Sequence, residues 1–514
     1  MGREDEIVKE RLKKIEELRK QKINPYSHKF DLENEREHSD EIIKQYSSLK
    51  NEEISNKTEV VAGRIMFLRS FGKLAFAKVQ DSKGIIQVVL QSEKTPEKCM
   101  ELFNSFIDTG DIIGVKGNPM KTKTGEMSIL VKELFILTKS ILPLPDKVHG
   151  LTDEEERLRK RYLDMTVNPE VKKVFVTRAK ILEVLRDFMK KNDFIEVETP
   201  LLQSVYGGAA AKPFKTHCEA YNSNLFLSIA PELYLKKALV GGFERVYEIT
   251  KKFRNEGVDR QHNPEHMTIE WYQGYADYND GMRLFEEMMK DIALALFGKT
   301  EIEYQGKKIN LAKWRRLPLL DAIKEYLSID ISKVKDDKEA REIAKKHGIE
   351  KIDEITKINL PDELMKLFRD KIIEPTFLTD YPVEMCPLAK PSQRDPTKAE
   401  IFQPLVAGME LARAYSELNN PKLQEANFKG QEDEREKGNK EAMPTDMDFV
   451  TALEHGMPPA CGVGVGIERL VMLFANQVSI REVIMFPFMK PVEILQKSKS
   501  ESKKPEPKKG SKKK

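Results

Sequence analysis

Cysteine is scarce in this 514-residue chain, with Cys99, Cys218, Cys386 and Cys461 far apart and no C-x-x-C pair. That spacing argues against a zinc ribbon or a redox dithiol and leaves simple buried thiols as the expectation. Long apolar runs are missing too. None approaches the roughly 20 residues needed to cross a bilayer, so no membrane partner is expected. The first residues, Met1 to Glu6, are acidic and carry no apolar segment, which argues against a secretory signal there. Glu6 stands where N-myristoylation of Gly2 would need Ser or Thr. A cytoplasmic location is the resulting expectation. A large net charge is also absent. The formal charge is +3, yet residues 497–514 hold nine lysines against Glu501 and Glu506. The rest of the chain is therefore slightly acidic, so any contact with nucleic acid by the folded part must be a local patch.

Hydrophobic residues make up 40% and charged residues 33% of the chain, a globular balance whose length calls for two or more domains. Residues 1–58 are expected as a helical extension. Ile7, Leu12, Ile15 and Leu18 recur at helical spacing, and Asn24-Pro25 ends the run. Over residues 59–140 the pattern turns to short β-rich runs at 60–65, 74–79, 85–90, 112–115 and 128–131, separated by turn signals such as Asp81-Ser82-Lys83-Gly84. Five such strands predict a small barrel of the OB type, an architecture that binds nucleic acid. Pro143, Pro145 and Gly150 mark a linker over 141–165. From 166 to 490 helical stretches alternate with strand-like ones near 194–197, 225–229, 246–249, 268–272 and 406–415. They lack a βαβ rhythm, so an α+β domain on an antiparallel sheet is expected. A charged helical insertion is expected at about 317–368. The Lys-rich tail, 491–514, is expected to be disordered, as a solubilising tail or a salt-sensitive tether for nucleic acid.

Two clusters carry the chemistry. Phe253-Arg254-Asn255-Glu256 runs on to His262-Asn263-Pro264-Glu265-His266 and Glu270-Trp271-Tyr272, which gathers a planar cationic fork, carboxylates and imidazoles around one loop. Far downstream, the glycine run Gly462-Val463-Gly464-Val465-Gly466 leads into Ile467-Glu468-Arg469, where bare backbone can approach a ligand beside a second guanidinium. A nucleotide held between two arginines is the implied chemistry. No spaced His or Cys set argues for a transition metal.

These strings resemble the second and third signature motifs of the class II aminoacyl-tRNA synthetases, and Phe194-Ile195-Glu196-Val197-Glu198-Thr199-Pro200 resembles the first. Within that class the chain is most similar to the lysyl family, through Gly207-Gly208-Ala209, Ala230-Pro231-Glu232-Leu233-Tyr234-Leu235-Lys236, Tyr275-Ala276-Asp277-Tyr278, Ser416-Glu417-Leu418-Asn419 and Leu453-Glu454-His455-Gly456, in the family's order from about residue 22 to 487. The resemblance implies that 166–490 is a catalytic domain joining L-lysine to ATP and then to lysine tRNA, with Mg²⁺ and in a homodimer. It implies Arg254 and Arg469 as catalytic residues. It implies the same two arginines with Glu256, His262, Asn263, His266, Glu410 and Gly466 around ATP. Gly208, Glu232, Arg254, Glu270, Tyr272, Arg413, Tyr415 and Glu417 would surround lysine, Glu232 and Gly208 near the α-amine and Tyr272 and Glu417 near the ε-amine. Glu410 and Gln403 would hold the metal. Arg69, Phe76, Gln87 and Glu133 would meet the anticodon.

Three positions depart from the family's strings: His266 replaces a stacking Phe and brings an imidazole's pH dependence, Gln403 replaces a metal-binding Glu, and Arg413 replaces an Asn. Glu410 and Glu417, seven residues apart in one expected strand, would lie on opposite faces. Two other functions stay open: a lysine ligase acting on a protein, and a noncatalytic nucleotide- or RNA-binding relative.

Overall fold

The computed structural model describes residues 3–145, 151–436 and 442–492. The expected tail from 493 onward, and residues 146–150 of the expected linker, lie outside the described residues. The chain divides into two compact units, Met1–Thr152 and Asp153–Lys514. No helix among the described residues is long and apolar enough to cross a membrane.

The first unit opens with a helix, Arg3–Lys20, acidic in its first turn and basic in its last, which complements the helix dipole. Beyond it lies a closed five-stranded barrel: β1 (Glu59–Ser70), β2 (Leu74–Gln80), β3 (Ile85–Gln91), β4 (Ile112–Lys121) and β5 (Met127–Thr138), paired in the order β1-β2-β3-β5-β4. The architecture is the OB fold. Period-two alternation turns Ala75, Ala77 and Val79 inward with Val61, Val88 and Val131, while Phe76 and Lys78 face outward. β4 and β5 run well past their apolar runs, because outward Lys116, Asn118, Lys132 and Glu133 hide the strands from a hydrophobic reading. A bulge between Lys116 and Gly117 bends the pair, and a Cβ on Gly117 would lie 2.1 Å from the Leu130 carbonyl oxygen.

The second unit is built on a nine-stranded sheet. Its order is Arg315–Pro318, Thr376–Thr379, Ile401–Val406, Ala412–Ser416, Ala460–Gly466, Glu265–Gly274, Arg245–Phe253 and Ile195–Glu196, with Met409–Glu410 paired off Ile401–Val406. All neighbours are antiparallel except the pair at each edge, so the sheet is mixed rather than purely antiparallel. The helices Pro169–Lys191 and Tyr278–Phe297 supply Ile181, Leu185, Phe285 and Met289 to a core shared with Trp271 and Val463. Asp277 caps the second of these helices by accepting from the backbone N–H of Asn279 and Asp280. Three short helices, Leu319–Leu327, Asp337–Lys346 and Leu360–Lys366, fill the insertion around Leu319, Ile323, Leu364 and Phe368.

The strand expected at 406–415 is broken. A turn at Ala407 (φ 52°) and Gly408 (φ 77°) reverses the chain, and Leu411 separates two strands. Glu410 and Glu417 therefore belong to different segments, and the alternation argument for their faces fails. Beside this region Phe377 is fully buried, with ring centroids 4.6 Å from Trp314 and 5.3 Å from Phe402. Phe377→Ala should destabilise the second unit by about 3–5 kcal/mol. Both tryptophans, Trp271 and Trp314, lie in that unit, so their fluorescence during denaturant unfolding reads the loss directly.

Candidate active site

The hairpin of Arg245–Phe253 and Glu265–Gly274 carries the first cluster at its open end. The ladder closes at Phe253 opposite Glu265, and the Arg254 N–H donates to the Pro264 carbonyl at 2.9 Å. Inside the loop Asp259 accepts from the backbone N–H of Gln261 and His262 and lies 2.8 Å from His262 Nδ1. His262 is thereby pinned at the surface of the loop. Asn263 is buried; its Nδ2 donates to the Glu265 carbonyl at 2.6 Å, and its Oδ1 is left without a partner.

Next to this hairpin lies the glycine strand Ala460–Gly466, with Tyr272 opposite Gly462 and Glu270 opposite Gly464. Bare backbone is required there by close approach. A Cβ on Gly462 would sit 2.1 Å from Glu417 Oε1 and 2.3 Å from the Tyr272 ring. The strand feeds the helix Ile467–Phe474, anchored where Glu468 accepts from the Met267 N–H at 2.9 Å and from Arg178 at 2.8 Å. One turn in, Arg469 donates to the Glu410 carbonyl oxygen at 2.6 Å.

Arg254 and Arg469 open into one cavity of about 730 Å³. The same walls hold Glu256, His262, Asn263, His266, Glu410 and Gly466, along with Gly208, Glu232, Glu270, Tyr272, Gln403, Arg413 and Tyr415. Glu417 does not line it; the side chain is fully buried, with Oε1 packed against Gly462. The insertion reaches the cavity through Asn359 and Asp362, a contribution that no residue pattern signalled.

The cavity has two electrical ends. Burial pulls the Arg254 guanidinium below its usual range, opposed by Glu256 and Glu270 and reinforced by Arg469, and arginine still remains cationic. Its Nε has no partner. At the other end burial raises Glu270 to about 8, helped by Glu232 and resisted by Lys252 and Arg254. Burial also lifts the Glu417 carboxyl, against the pull of Lys236. Lys236 is the residue that sequence reasoning missed. Its ammonium is fully buried, 2.6 Å from Glu232 and 2.5 Å from Glu417. Burial opposes its charge, but the two carboxylates outweigh burial and raise its pKa. The i,i+4 spacing from Glu232 on the helix Glu232–Val240 was the available signal.

Two expectations need correction. His266 does not titrate near neutrality: burial, then the adjacent Arg254, lower it to about 3, so the ring is a neutral surface. Gln403 fits a metal less well than a carboxylate would: it is neutral, and its Oε1 already accepts from the Tyr381 hydroxyl, which uses one of that oxygen's two lone pairs. Among the described residues no group of three His, Cys, Asp or Glu side chains could hold an ion. Glu410 fits as a single oxygen ligand beside a phosphate chain, the manner in which Mg²⁺ is usually held. Arg413 donates to Cys386 Sγ at 3.7 Å in the same wall.

In the first unit, register places Arg69 opposite Phe76 and Phe76 opposite Val89 on the outer face of the barrel, with Gln87 two residues along on that face. Phe76 is half-buried over Val89, Met120 and Leu130, and Phe71 lies 6.0 Å away with its ring exposed. Gln87 Nε2 donates to Ser128 at 2.9 Å. Glu133 is exposed on β5, three residues beyond Leu130, and stands opposite Lys116 in the β4–β5 ladder.

Two units with these architectures, one an OB barrel and the other a mixed sheet carrying paired arginines over a glycine strand, match two family models. Residues 60–137 match the OB-fold nucleic acid binding domain, and residues 153–490 match the tRNA synthetases class II (D, K and N). The chain belongs to the class II tRNA synthetases, and within them to the lysine–tRNA ligase family. It is 46% identical over 493 residues to the lysine–tRNA ligase of Carboxydothermus hydrogenoformans, covering 95% of this chain and 98% of that one. The lysine–tRNA ligase of Pelotomaculum thermopropionicum is 46% identical over 505 residues, 96% and 97% of the two chains. That of Thermosipho melanesiensis is 44% identical over 490 residues, 94% and 96%.

Replacing His266 by Ala should raise the KM for ATP by roughly 5- to 150-fold, the value of one stacking surface. Because the ring stays neutral, the pH profile of that KM over about pH 6 to 8 should be the same for the wild type and His266→Phe. A profile that flattens in the Phe variant would contradict a neutral ring.

Proposed function

We propose that the chain activates L-lysine with ATP, releasing pyrophosphate, and esterifies the resulting lysyl-adenylate to the 3′ end of lysine tRNA. The observation that carries this reading is the shared cavity: two guanidinium groups at one end, and at the other the acidic side chains of Glu232 and Glu270, with Glu417 buried behind the Gly462 wall. Activation needs a carboxylate oxygen to strike the α-phosphorus in line while the bond to the β-phosphate breaks. Positioning and charge stabilisation supply most of the acceleration.

Arg254 bridges the amino-acid carboxylate and the α-phosphate, and Arg469 holds the far phosphates with the Gly466 backbone beside it. His266 stacks on adenine while Glu256 accepts from its amino group. His262 stands near the phosphates. Asn263 offers an acceptor, so it suits a donor on the nucleotide or a bridging water better than a phosphate oxygen. Glu410 would hold a Mg²⁺ carried by the triphosphate, whose charge would be partly neutralised there. Arg413 adds a fixed cation toward the lysine carboxylate. Glu232, with the Gly208 backbone, takes the α-amine, and Tyr272, Tyr415, Glu270 and Glu417 form the slot for the side chain and its ammonium.

Arg69, Phe76 and Gln87 read the anticodon by phosphate contact, base stacking and hydrogen bonding. Glu133, exposed on β5, is a further candidate for that contact. The domain limits follow these roles: 59–140 for tRNA, 166–490 for catalysis with its insertion at about 317–368, and 1–58, 141–165 and 491–514 as accessory segments. A second copy of the chain suits the edge strand Ile195–Glu196, with its exposed Ile195, and the exposed Leu201 and Leu202 that follow it in the chain. A cytoplasmic setting follows from the substrates.

Lysine-dependent exchange of pyrophosphate into ATP, followed by charging of lysine tRNA, tests the reading. Absence of exchange would support a binding protein, and exchange without charging would support a ligase acting on a protein. Arg254→Ala should lower kcat by roughly 10²–10³ with a smaller change in the KM for lysine. Phe76→Ala should keep exchange intact and weaken tRNA binding by about 1–3 kcal/mol.

A further inference from the structure

Beneath the acidic end of the cavity lies an ammonium that none of the roles above uses. Lys236 sits on the first turns of the helix Glu232–Val240, fully buried, with Nζ 2.6 Å from Glu232 Oε1 and 2.5 Å from Glu417 Oε2. It also lies over the Tyr415 ring at 5.5 Å and the Phe449 ring at 5.8 Å. Tyr415 donates to the same Glu232 oxygen at 2.6 Å. The helix that supplies Glu232 and the segment that supplies Glu417 are distant in sequence, and this one cation ties them together.

The two oxygens of Glu417 have different neighbours. The Lys236 ammonium lies 2.5 Å from Oε2, while Oε1 rests against the Gly462 backbone beside the Tyr272 ring; both oxygens are buried, and neither has a hydrogen-bond partner of good geometry. An unpartnered carboxylate oxygen in that position is costly unless a cation arrives. A carboxylate held at one oxygen cannot swing, so its other oxygen waits at one depth.

We infer that Lys236 is a positioning residue for the amino-acid substrate: it ties Glu232 to Glu417 and clamps Glu417 by Oε2, so that Oε1 meets the substrate's distal amine at a fixed distance from the α-amine site. The inference rests on reading the slot as the lysine pocket. It makes Lys236 a determinant of chain length, since an amine one methylene shorter falls short of a carboxylate that cannot move toward it. Without the clamp Glu417 gains freedom to rotate, and the cost of orienting it passes to substrate binding.

The test is steady-state pyrophosphate exchange by the full chain, with lysine and with ornithine, its homologue one methylene shorter. Lys236→Met removes the ammonium at similar length, and Lys236→Arg keeps a cation. The Met variant should raise the KM for lysine roughly 10- to 100-fold while the KM for ATP stays within about twofold. Its preference for lysine over ornithine should shrink from a wild-type value of roughly 10- to 200-fold. The Arg variant should recover part of both. Three results overturn the inference: an unchanged lysine KM in a Met variant with normal thermal melting, a parallel rise of the lysine and ATP KM values, or failure of both variants to fold, which would make Lys236 a folding anchor only. The functional reading fails separately, if wild-type protein shows no lysine-dependent exchange.

Discussion

The second unit depends on buried charge that is paired. Carboxylates from the helix after Pro231, from the Glu265–Gly274 strand and from the end of the Ala412–Ser416 strand converge where water is excluded, and unpaired they would repel. Lys236 and Lys252 stand among them as counter-ions, with Lys252 4.0 Å from Glu248 and 3.1 Å from Ser228. Removing one partner of such a set leaves a bare charge, at a cost far above that of any surface pair. The same pairing divides the cavity. Arg254 and Arg469 face one end, and Glu232 and Glu270 line the other with Glu417 buried behind them, so a molecule with an anionic phosphate chain and one with a cationic head suit opposite halves.

Close backbone approach makes that division possible. The strand Ala460–Gly466 places a glycine at every second position on the side facing the cavity, and Glu270, Tyr272 and Glu417 occupy the volume that side chains there would take. The next residues turn into a helix whose Arg469 points back at Glu410. One short stretch thus builds the floor of the acidic slot and delivers a cation to the phosphate end. The rigidity comes from ladder pairing on both sides of the strand.

Much of this was legible in the chain itself. Alternating apolar residues announced the barrel, and the Arg254 and Arg469 strings announced a nucleotide site, because local composition records what a strand or a phosphate loop needs. The extent of β4 and β5 was not legible, since their outward lysines and glutamates look like loop. The break after Val406 escaped as well, because Ala407 takes a positive φ that nothing in its side chain advertises. At the site, Lys236 stood inside a recognised string without a role, His266 carried a pH dependence that burial removes, and Gln403 was assigned to an ion although Tyr381, in another strand's neighbourhood, engages its oxygen.

The amino-acid sequence by itself determined the two architectures, the order of the motifs and the identity of the charged groups, since each is written in residues close to one another along the chain. Tertiary structure alone decided which charges meet. Whether a lysine is a solvated surface group or a clamp between two carboxylates, and whether an imidazole titrates, depends on burial and on neighbours up to hundreds of residues away. Those energies vary steeply with distance and with the exclusion of water, and neither quantity exists until the chain has folded.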